Sequence, residues 1–400
     1  MGIGSTMHVA LIGTYPPTVC GIATFTADVE ASLKGEGHQV TVIPVARDGS
    51  SCPIALTRDE RASYTGAAAR VNQSGFDVVV IEHEFGIFGG PAGAYIADFV
   101  EALQVPVVLT LHTVLARHTW RQRQVLRRLL RRVAAVTVFT ATARKLLVEM
   151  RLVDPDRIRV VPHGAPIEMY EARDPADVRR RFGIEDDRRV FSTFGLLSPG
   201  KGIELAIAAL ADVVAVEPRA TYVVAGRTHP EVQRHSGEEY RAGLNELVDR
   251  LGLAENVLFL DRFLTVTELA EVLSITEVFC TPYVGCDQIV SGALTFALAA
   301  GCPVVSTPYR YAKDVLAGGA GKLVDFDDSG AFGAAMLELL EDGPAKSAAR
   351  SAAQRLASEM AWPTVGKSIA GLLEEVRQPQ PPMTRRIDRS GSSFRQLAAS

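Results

Sequence analysis

The chain has 400 residues, which suits two domains better than one core. Its 47% hydrophobic and 22% charged residues are those of a globular protein, and a net charge of −4 excludes a general attraction to nucleic acid. The five cysteines (Cys20, Cys52, Cys280, Cys286, Cys302) are scattered, odd in number and without a C-x-x-C spacing. That argues against a disulfide framework or a zinc site and for a reducing cytoplasm.

No apolar run is long enough to span a bilayer. The start, MGIGST, lacks the charged and apolar regions of a signal peptide. It fits the loose myristoylation pattern M-G-x-x-x-[ST], but that pattern is short and often matches by chance, and an extended or tagged start before Met7 is the reading preferred.

Along the chain one theme repeats: a short apolar run, a Gly, Pro or polar turn, then an amphipathic segment. Strands are predicted at His8–Ile12, Gln39–Val45, Val78–Ile81, Val107–Leu111, Ala135–Phe139 and Ile158–Pro162. Helices are predicted between them, among them Ile22–Lys34 and Pro91–Leu103. Near-continuous Val and Ile runs suit strands buried on both faces of a parallel sheet, and the alternation predicts doubly wound α/β. Residues 170–189, YEARDPADVRRRFGIEDDRR, are charged and apolar-poor and read as a linker with a short helix. A second set of strands follows at Val190–Phe194, Thr221–Ala225, Val257–Leu260, Glu277–Thr281, Pro303–Ser306 and Lys322–Val324. The expected organisation is a domain over 1–168, a linker over 169–189, a second domain over 190–358, a last helix over 359–377 and a mobile tail over 378–400. Ligands of such sheets bind outside the carboxyl ends of the strands, so the residues just after each strand are the first candidates.

Four stretches stand out. In ALIGTYPPTVCGIATF, Gly21 opens a helix whose N–H groups and dipole favour an anion; a plain tight turn is the alternative. This is not the G-x-G-x-x-G dinucleotide fingerprint. In FGLLSPGKGIELAIAAL, Lys201 stands at the mouth of a helix after Gly195, Pro199 and Gly200, with Gly202 following. A cation beside free N–H groups makes a phosphate site, though the loop is not a Walker A motif. In VVVIEHEFGIFGGPAG and PVVLTLHTVLA, Glu82, His83, Glu84, Phe85 and His112 fall at the ends of two strands, a site-like pattern. The basic helix RHTWRQRQVLRRLLRRV, 117–133, is either a solvated face covering the sheet or a contact to an anionic membrane.

With those pieces in order, the chain resembles the retaining glycosyltransferases of the GT-B fold, in the group-1 or family-4 class. The resemblance spans roughly residues 7–377 and rests on PPTVCGIATFTADVEASLKGEGHQVTVI, PVVLTLHT, VVPHGAP, LLSPGKGIELAIAAL, EVFCTPY and ALAAGCPVVSTP. It implies two Rossmann-like domains facing a cleft, with a UDP- or GDP-sugar held mainly by the second, an acceptor held by the first, and the last helix, around Trp362, crossing back. No metal or other cofactor is implied; the nucleotide sugar is a substrate. Lys201, Gly202 and the Ser291-Gly292 amides match the diphosphate contacts, Gly21 the N-terminal glycine, and His112 the histidine near the transferred sugar. The resemblance places the acceptor against His83, Glu84, Phe85 and His112.

The departures concern the donor. Leu196 stands where the family carries an arginine, and Arg227 is the candidate replacement. The family's two glutamates, separated by seven residues, align with Gln288 and Phe296, with Asp287 one residue from the first. Arg262 lies in the stretch expected near the base. A branch with an aromatic at the second position implies a variant site rather than a dead one. The expected activity is transfer of a hexosyl unit, with retention, to a hydroxyl of a glycan, a glycolipid or a small glycoside. The catalytic set is His112, Lys201, Asp287 and Gln288. The rivals are a GT-B phosphorylase or sugar-phosphate synthase, and a non-catalytic binder of nucleotide sugars or glycans. The helix over 117–133 is the candidate peripheral contact to the inner membrane face.

Overall fold

A computed structural model describes residues 5–47 and 52–378. The myristoylation pattern at the start and the tail after Gln378 fall outside the described residues.

The first half alternates β1 (His8–Gly13), α1 (Gly21–Gly35), β2 (Gln39–Ala46), β3 (Leu56–Thr57), α2 (Arg61–Gln73), β4 (Val78–His83), α3 (Tyr95–Ala102), β5 (Val107–Leu111), α4 (Trp120–Arg132), β6 (Ala135–Val138), α5 (Ala141–Met150) and β7 (Ile158–Val160). The strands pair in parallel in the order β3-β2-β1-β4-β5-β6-β7. β1, β4 and β5 are buried almost throughout, which is why their Val and Ile runs do not alternate. The linker carries α6 (Pro175–Phe182), started by Asp174 and Pro175 and stopped by left-handed Gly183.

The second half repeats the plan: β8 (Arg189–Phe194), α7 (Ile203–Val216), β9 (Ala220–Ala225), α8 (Pro230–Ser236), α9 (Glu239–Arg250), β10 (Val257–Leu260), α10 (Val266–Ser274), β11 (Val278–Thr281), α11 (Gly292–Ala299), β12 (Val304–Ser306), α12 (Arg310–Leu316), β13 (Gly321–Leu323), α13 (Ser329–Leu340), α14 (Pro344–Met360) and α15 (Trp362–Arg377). Its order is β10-β9-β8-β11-β12-β13, again parallel. The strand order reverses beside β1 in the first sheet and beside β8 in the second. The loops after β1 and β4, and after β8 and β11, therefore open the two crevices where ligands bind in such sheets.

The expected helix over Pro91–Leu103 is shorter. Ala92 and Gly93 take positive φ (55° and 71°) and leave only a 3-10 turn before α3. The chain bends there because Gly93 lies against Phe85: a Cβ on it would come 2.8 Å from the Phe85 carbonyl oxygen.

The end of α14 and the start of α15 dock on the segment after β7. Ala165 N donates to Met360 O (2.6 Å), and Trp362 N donates to Ala165 O (3.2 Å). The Trp362 indole lies on Gly164, where a Cβ would come 2.3 Å from the ring. α15 then packs on α1, with Ser32 Oγ donating to Trp362 O at 2.9 Å. The last helix thus returns to the first half of the chain. Across the cleft, Asp314 of α12 accepts from Thr142 N (3.1 Å) and Thr142 Oγ1 (2.6 Å) of α5.

Gly164→Ala forces that joint apart. It is expected to cost about 1–3 kcal/mol and lower the thermal midpoint, whereas Gly21→Ala, with nothing within 4 Å of the added Cβ, is expected not to lower it.

Candidate functional site

On the N-terminal side, β1 ends at Gly13, which is pressed against Thr26: a Cβ there would meet Thr26 Oγ1 at 2.6 Å. The loop over 14–20 leads to Cys20, whose thiol caps α1 by accepting from Ala23 N at 3.3 Å. Gly21 is the exposed first residue of that 15-residue helix.

At the ends of β4 and β5, Glu82 is buried to 1% exposure. Its carboxylate accepts from His112 Nε2 at 2.9 Å and from Thr110 Oγ1 at 3.4 Å. The imidazole of His112 is held edge-on to Phe25 (4.8 Å) and tilted against Phe139 (5.1 Å). A buried carboxylate therefore orients His112, leaving Nδ1 as its second polar atom. Glu84 is tied by its own Phe85 N (2.8 Å) and by the Thr113 hydroxyl. His83 was expected at the acceptor; it is fully buried instead. It lies 5.1 Å from Phe85 and 5.8 Å from Phe88, and neither ring nitrogen has a hydrogen-bond partner. Burial, with help from the charge of His112, pushes its pKa down to about 3. Phe85 is also a core residue.

On the C-terminal side, Gly195 and Gly226 meet backbone to backbone; a Cβ on Gly226 would lie 1.9 Å from Gly195 O. Leu197 N donates to Arg227 O (2.8 Å) and His229 N to Leu197 O (2.8 Å), so the two loops continue as a short parallel pair. Leu196 is half-buried beside them, and Arg227 is exposed. Lys201 closes a 3-10 turn, and Gly202 follows in the left-handed region (φ 58°), where a Cβ would meet Pro282 O at 2.0 Å. Lys201 Nζ donates to the Tyr283 hydroxyl at 3.1 Å and stands 4.2 Å from the centre of that ring. Tyr283 stacks on Tyr309 (5.0 Å), and its hydroxyl is 3.5 Å from Ser291 Oγ. Ser291 in turn caps α11, accepting from Leu294 N at 3.2 Å. An ammonium group and a helix N-terminus are thus connected through one tyrosine, an arrangement suited to an anion.

The other expected donor residues are placed less simply. Asp287 accepts from Arg310 Nε and Nη2, at 3.0 and 2.9 Å. Gln288 Nε2 donates back to Val290 O at 2.9 Å. Phe296 is buried against Phe194 (6.0 Å) and His163 (6.5 Å). Arg262 pairs with Glu268 at 2.8 Å. Arg241, which the sequence reading missed, bridges two strand ends by donating to Gly226 O (2.9 Å) and Asp261 (2.7 Å). His163, Tyr283 and Arg241 are all absent from the expected set; only VVPHGAP and EVFCTPY hinted at the first two. Among the described residues no group of three or more His, Cys, Asp or Glu side chains is arranged to hold a metal ion.

The basic helix is α4, started by a Thr119–Gln122 capping box. Its Val125, Leu126, Leu129 and Leu130 are spent on the core. Arg128 is tied to Asp98 and Glu101 of the neighbouring α3, while Trp120 is 73% exposed. No described helix is long and apolar enough to cross a membrane.

Comparison with known proteins fits this layout. The model for glycosyl transferases group 1 matches residues 175–356, and that for glycosyltransferase family 4 matches 19–168. A phosphatidyl-myo-inositol mannosyltransferase of Mycolicibacterium smegmatis is 24% identical over 89% of this chain and 90% of its own length. A D-inositol 3-phosphate glycosyltransferase of Stackebrandtia nassauensis is 27% identical over 59% of this chain, which spans only 53% of that relative. Among solved structures, HepE of Anabaena in complex with UDP-glucose superposes with a TM-score of 0.70 at 18% identity, covering 92% of this chain and all of that one. Sucrose-phosphate synthase of Thermosynechococcus elongatus gives 0.72 at 18%, covering 92% and 99%. The fold is GT-B. The chain belongs to the group-1/family-4 glycosyltransferases.

Asp28 of α1 lies in the joint beside Trp362. Burial raises its pKa to about 7, Glu168 adds to the rise, and the Trp362 side chain opposes it. Between the ordinary carboxyl range and pH 7 the folded chain keeps a proton that the unfolded chain has released. Stability from this group is therefore full at low pH and falls as pH rises through that window. The thermal midpoint of Asp28→Asn minus that of the wild type is expected to grow from pH 5 to pH 7.5; a constant difference would show that Asp28 ionises freely.

Proposed function

We propose that the chain transfers a hexosyl unit, with retention, from a UDP- or GDP-sugar to a hydroxyl of a glycan, a glycolipid or a small glycoside. The observation that carries this reading is the connection of Lys201, through Tyr283, to the capped N-terminus of α11, at the crevice of the second sheet. Two relatives named as a mannosyltransferase and a glycosyltransferase, and a structural neighbour that holds UDP-glucose, support it.

The diphosphate sits against Lys201 Nζ and the amides of Ser291 and Gly292, with Gly202 leaving room for the backbone and Gly21 offering a second helix N-terminus. Arg227, exposed and near the ends of β8 and β9, supplies the cation missing at Leu196. Phe296 takes the place of a carboxylate at the ribose, and Arg262 lies near the base. The acceptor enters against the first sheet, where Glu84 and Phe85 shape the approach and the Glu82-oriented His112 faces the transferred sugar.

The acceptor hydroxyl attacks from the face that the diphosphate leaves, and a leaving oxygen takes its proton. Charge grows on the diphosphate, and fixed donors placed there lower the barrier. No protein nucleophile is required, which suits a loop whose Asp287 is occupied by Arg310 and whose next residue is Gln288. Those two side chains orient the sugar. A lipid-linked acceptor would approach past the outward arginines of α4 and Trp120.

Lys201→Ala tests the reading. Turnover of UDP- or GDP-hexoses is expected to fall roughly 10²-fold or more, the scale for removing one preorganised donor to developing charge. Unchanged turnover would sink the assignment. Release of a sugar 1-phosphate on adding inorganic phosphate would favour a phosphorylase, and tight nucleotide binding without turnover would favour a binding protein.

A further inference from the structure

No side chain caps the start of α12. The first N–H groups of a helix have no partner within it. Here the loop between β11 and α11 supplies the partners: Arg310 N donates to Cys286 O (3.1 Å) and Tyr311 N to Gln288 O (3.0 Å). The Arg310 guanidinium also holds the Asp287 carboxylate, at 3.0 and 2.9 Å. The Tyr311 hydroxyl lies 2.6 Å from Thr295 Oγ1 of α11. Asp287 and Gln288, which the transfer reading sets at the sugar, therefore take their place from the first turn of α12.

Asp314 stands one turn further on, on the same face of α12 as Arg310. An arginine and an aspartate at that spacing can pair with each other. Instead Arg310 reaches the loop and Asp314 reaches the first domain. Both oxygens of its carboxylate are engaged there, one by Thr142 N (3.1 Å) and the other by Thr142 Oγ1 (2.6 Å). Thr142 is in the first turn of α5, where the helix dipole favours a negative group. That turn follows the carboxyl end of β6 and so faces the cleft. Ile289, from the same loop, is buried in the core of the first domain. The loop is thus held to that domain twice, directly by Ile289 and through α12 by Asp314.

We infer that Asp314 is a positioning residue for sugar transfer: seated on Thr142, it fixes α12, and α12 holds Asp287 and Gln288 where they meet the hexosyl unit. The inference rests on the nucleotide-sugar reading above. Among the described residues, Lys201, Tyr283 and Ser291 share no hydrogen bond with Arg310 or Asp314. Loss of Asp314 therefore falls on placing the sugar and not on gripping the diphosphate.

The test is steady-state release of UDP or GDP from whichever nucleotide hexose the full chain turns over, well below the thermal midpoint of each variant. Calorimetry gives the affinity for the free nucleoside diphosphate beside it. Asp314→Ala is expected to lower kcat roughly tenfold, since misplacing a reacting group by about 1 Å can cost about 10²-fold, while the free nucleoside diphosphate binds within about twofold of wild type. Thr142→Ser, which keeps both donors, is expected to match the wild type, and Thr142→Val, which keeps only the N–H, to fall between. Because Asp314 acts through the loop that Arg310 holds, Asp314→Ala combined with Arg310→Met is expected to stay within about twofold of the worse single variant. Unchanged kcat in Asp314→Ala overturns the inference and leaves the transfer reading standing. So does a loss shared equally by kcat and nucleoside diphosphate affinity, or a double variant whose loss is the product of the single losses. If Asp314→Ala does not fold, the Thr142 pair decides: Thr142→Val no slower than Thr142→Ser overturns the inference. A wild type that turns over no nucleotide hexose overturns both.

Discussion

Lys201 is held at 3.1 Å from the Tyr283 hydroxyl and over its ring, a contact that positions the ammonium group without neutralising it. A salt bridge would have cancelled the charge; a tyrosine does not. The same tyrosine reaches the serine that caps α11, so two sources of positive potential share one support. Much of the surrounding architecture serves that arrangement. Gly202 admits the turn only because it lacks a side chain, and Pro282 fills the space that one would need.

The cleft has a second dependence, the joint at Gly164 and Trp362. It places His163, α1 and α11 around one aromatic cluster drawn from both halves of the chain. Ile289, from the loop before α11, is buried in the core of the first half, and Thr142 with Asp314 ties α5 to α12. The loop before α11 is thus braced by packed side chains of the opposite domain.

Most of the strands were legible in the sequence because their burial on both faces leaves unbroken Val and Ile runs. The two-residue β3, Leu56–Thr57, has no such run. The start of α3 was misplaced because Ala92 adopts a left-handed conformation that its residue type does not announce. Lys201, Gly202 and Ser291 stood out in the sequence for a local reason: they lie beside a strand end or a helix start. What was not readable depends on contacts distant in sequence. Arg310 meets Asp287 across 23 positions, Trp362 meets Gly164 across two domains, and His83 shows by its burial that a histidine at a strand end need not face the cleft. His163 was passed over because Pro162 and Gly164 beside it read as connection, and only the folded chain puts its ring against α11.

The most direct measurement is a crystal structure of the chain with UDP or GDP bound. The terminal phosphate is predicted to lie within hydrogen-bond distance of Lys201 Nζ and of the Ser291 and Gly292 amides. A nucleotide bound elsewhere, or a terminal phosphate that leaves Lys201 on Tyr283 and the α11 amides unoccupied, would contradict the assignment of this cleft.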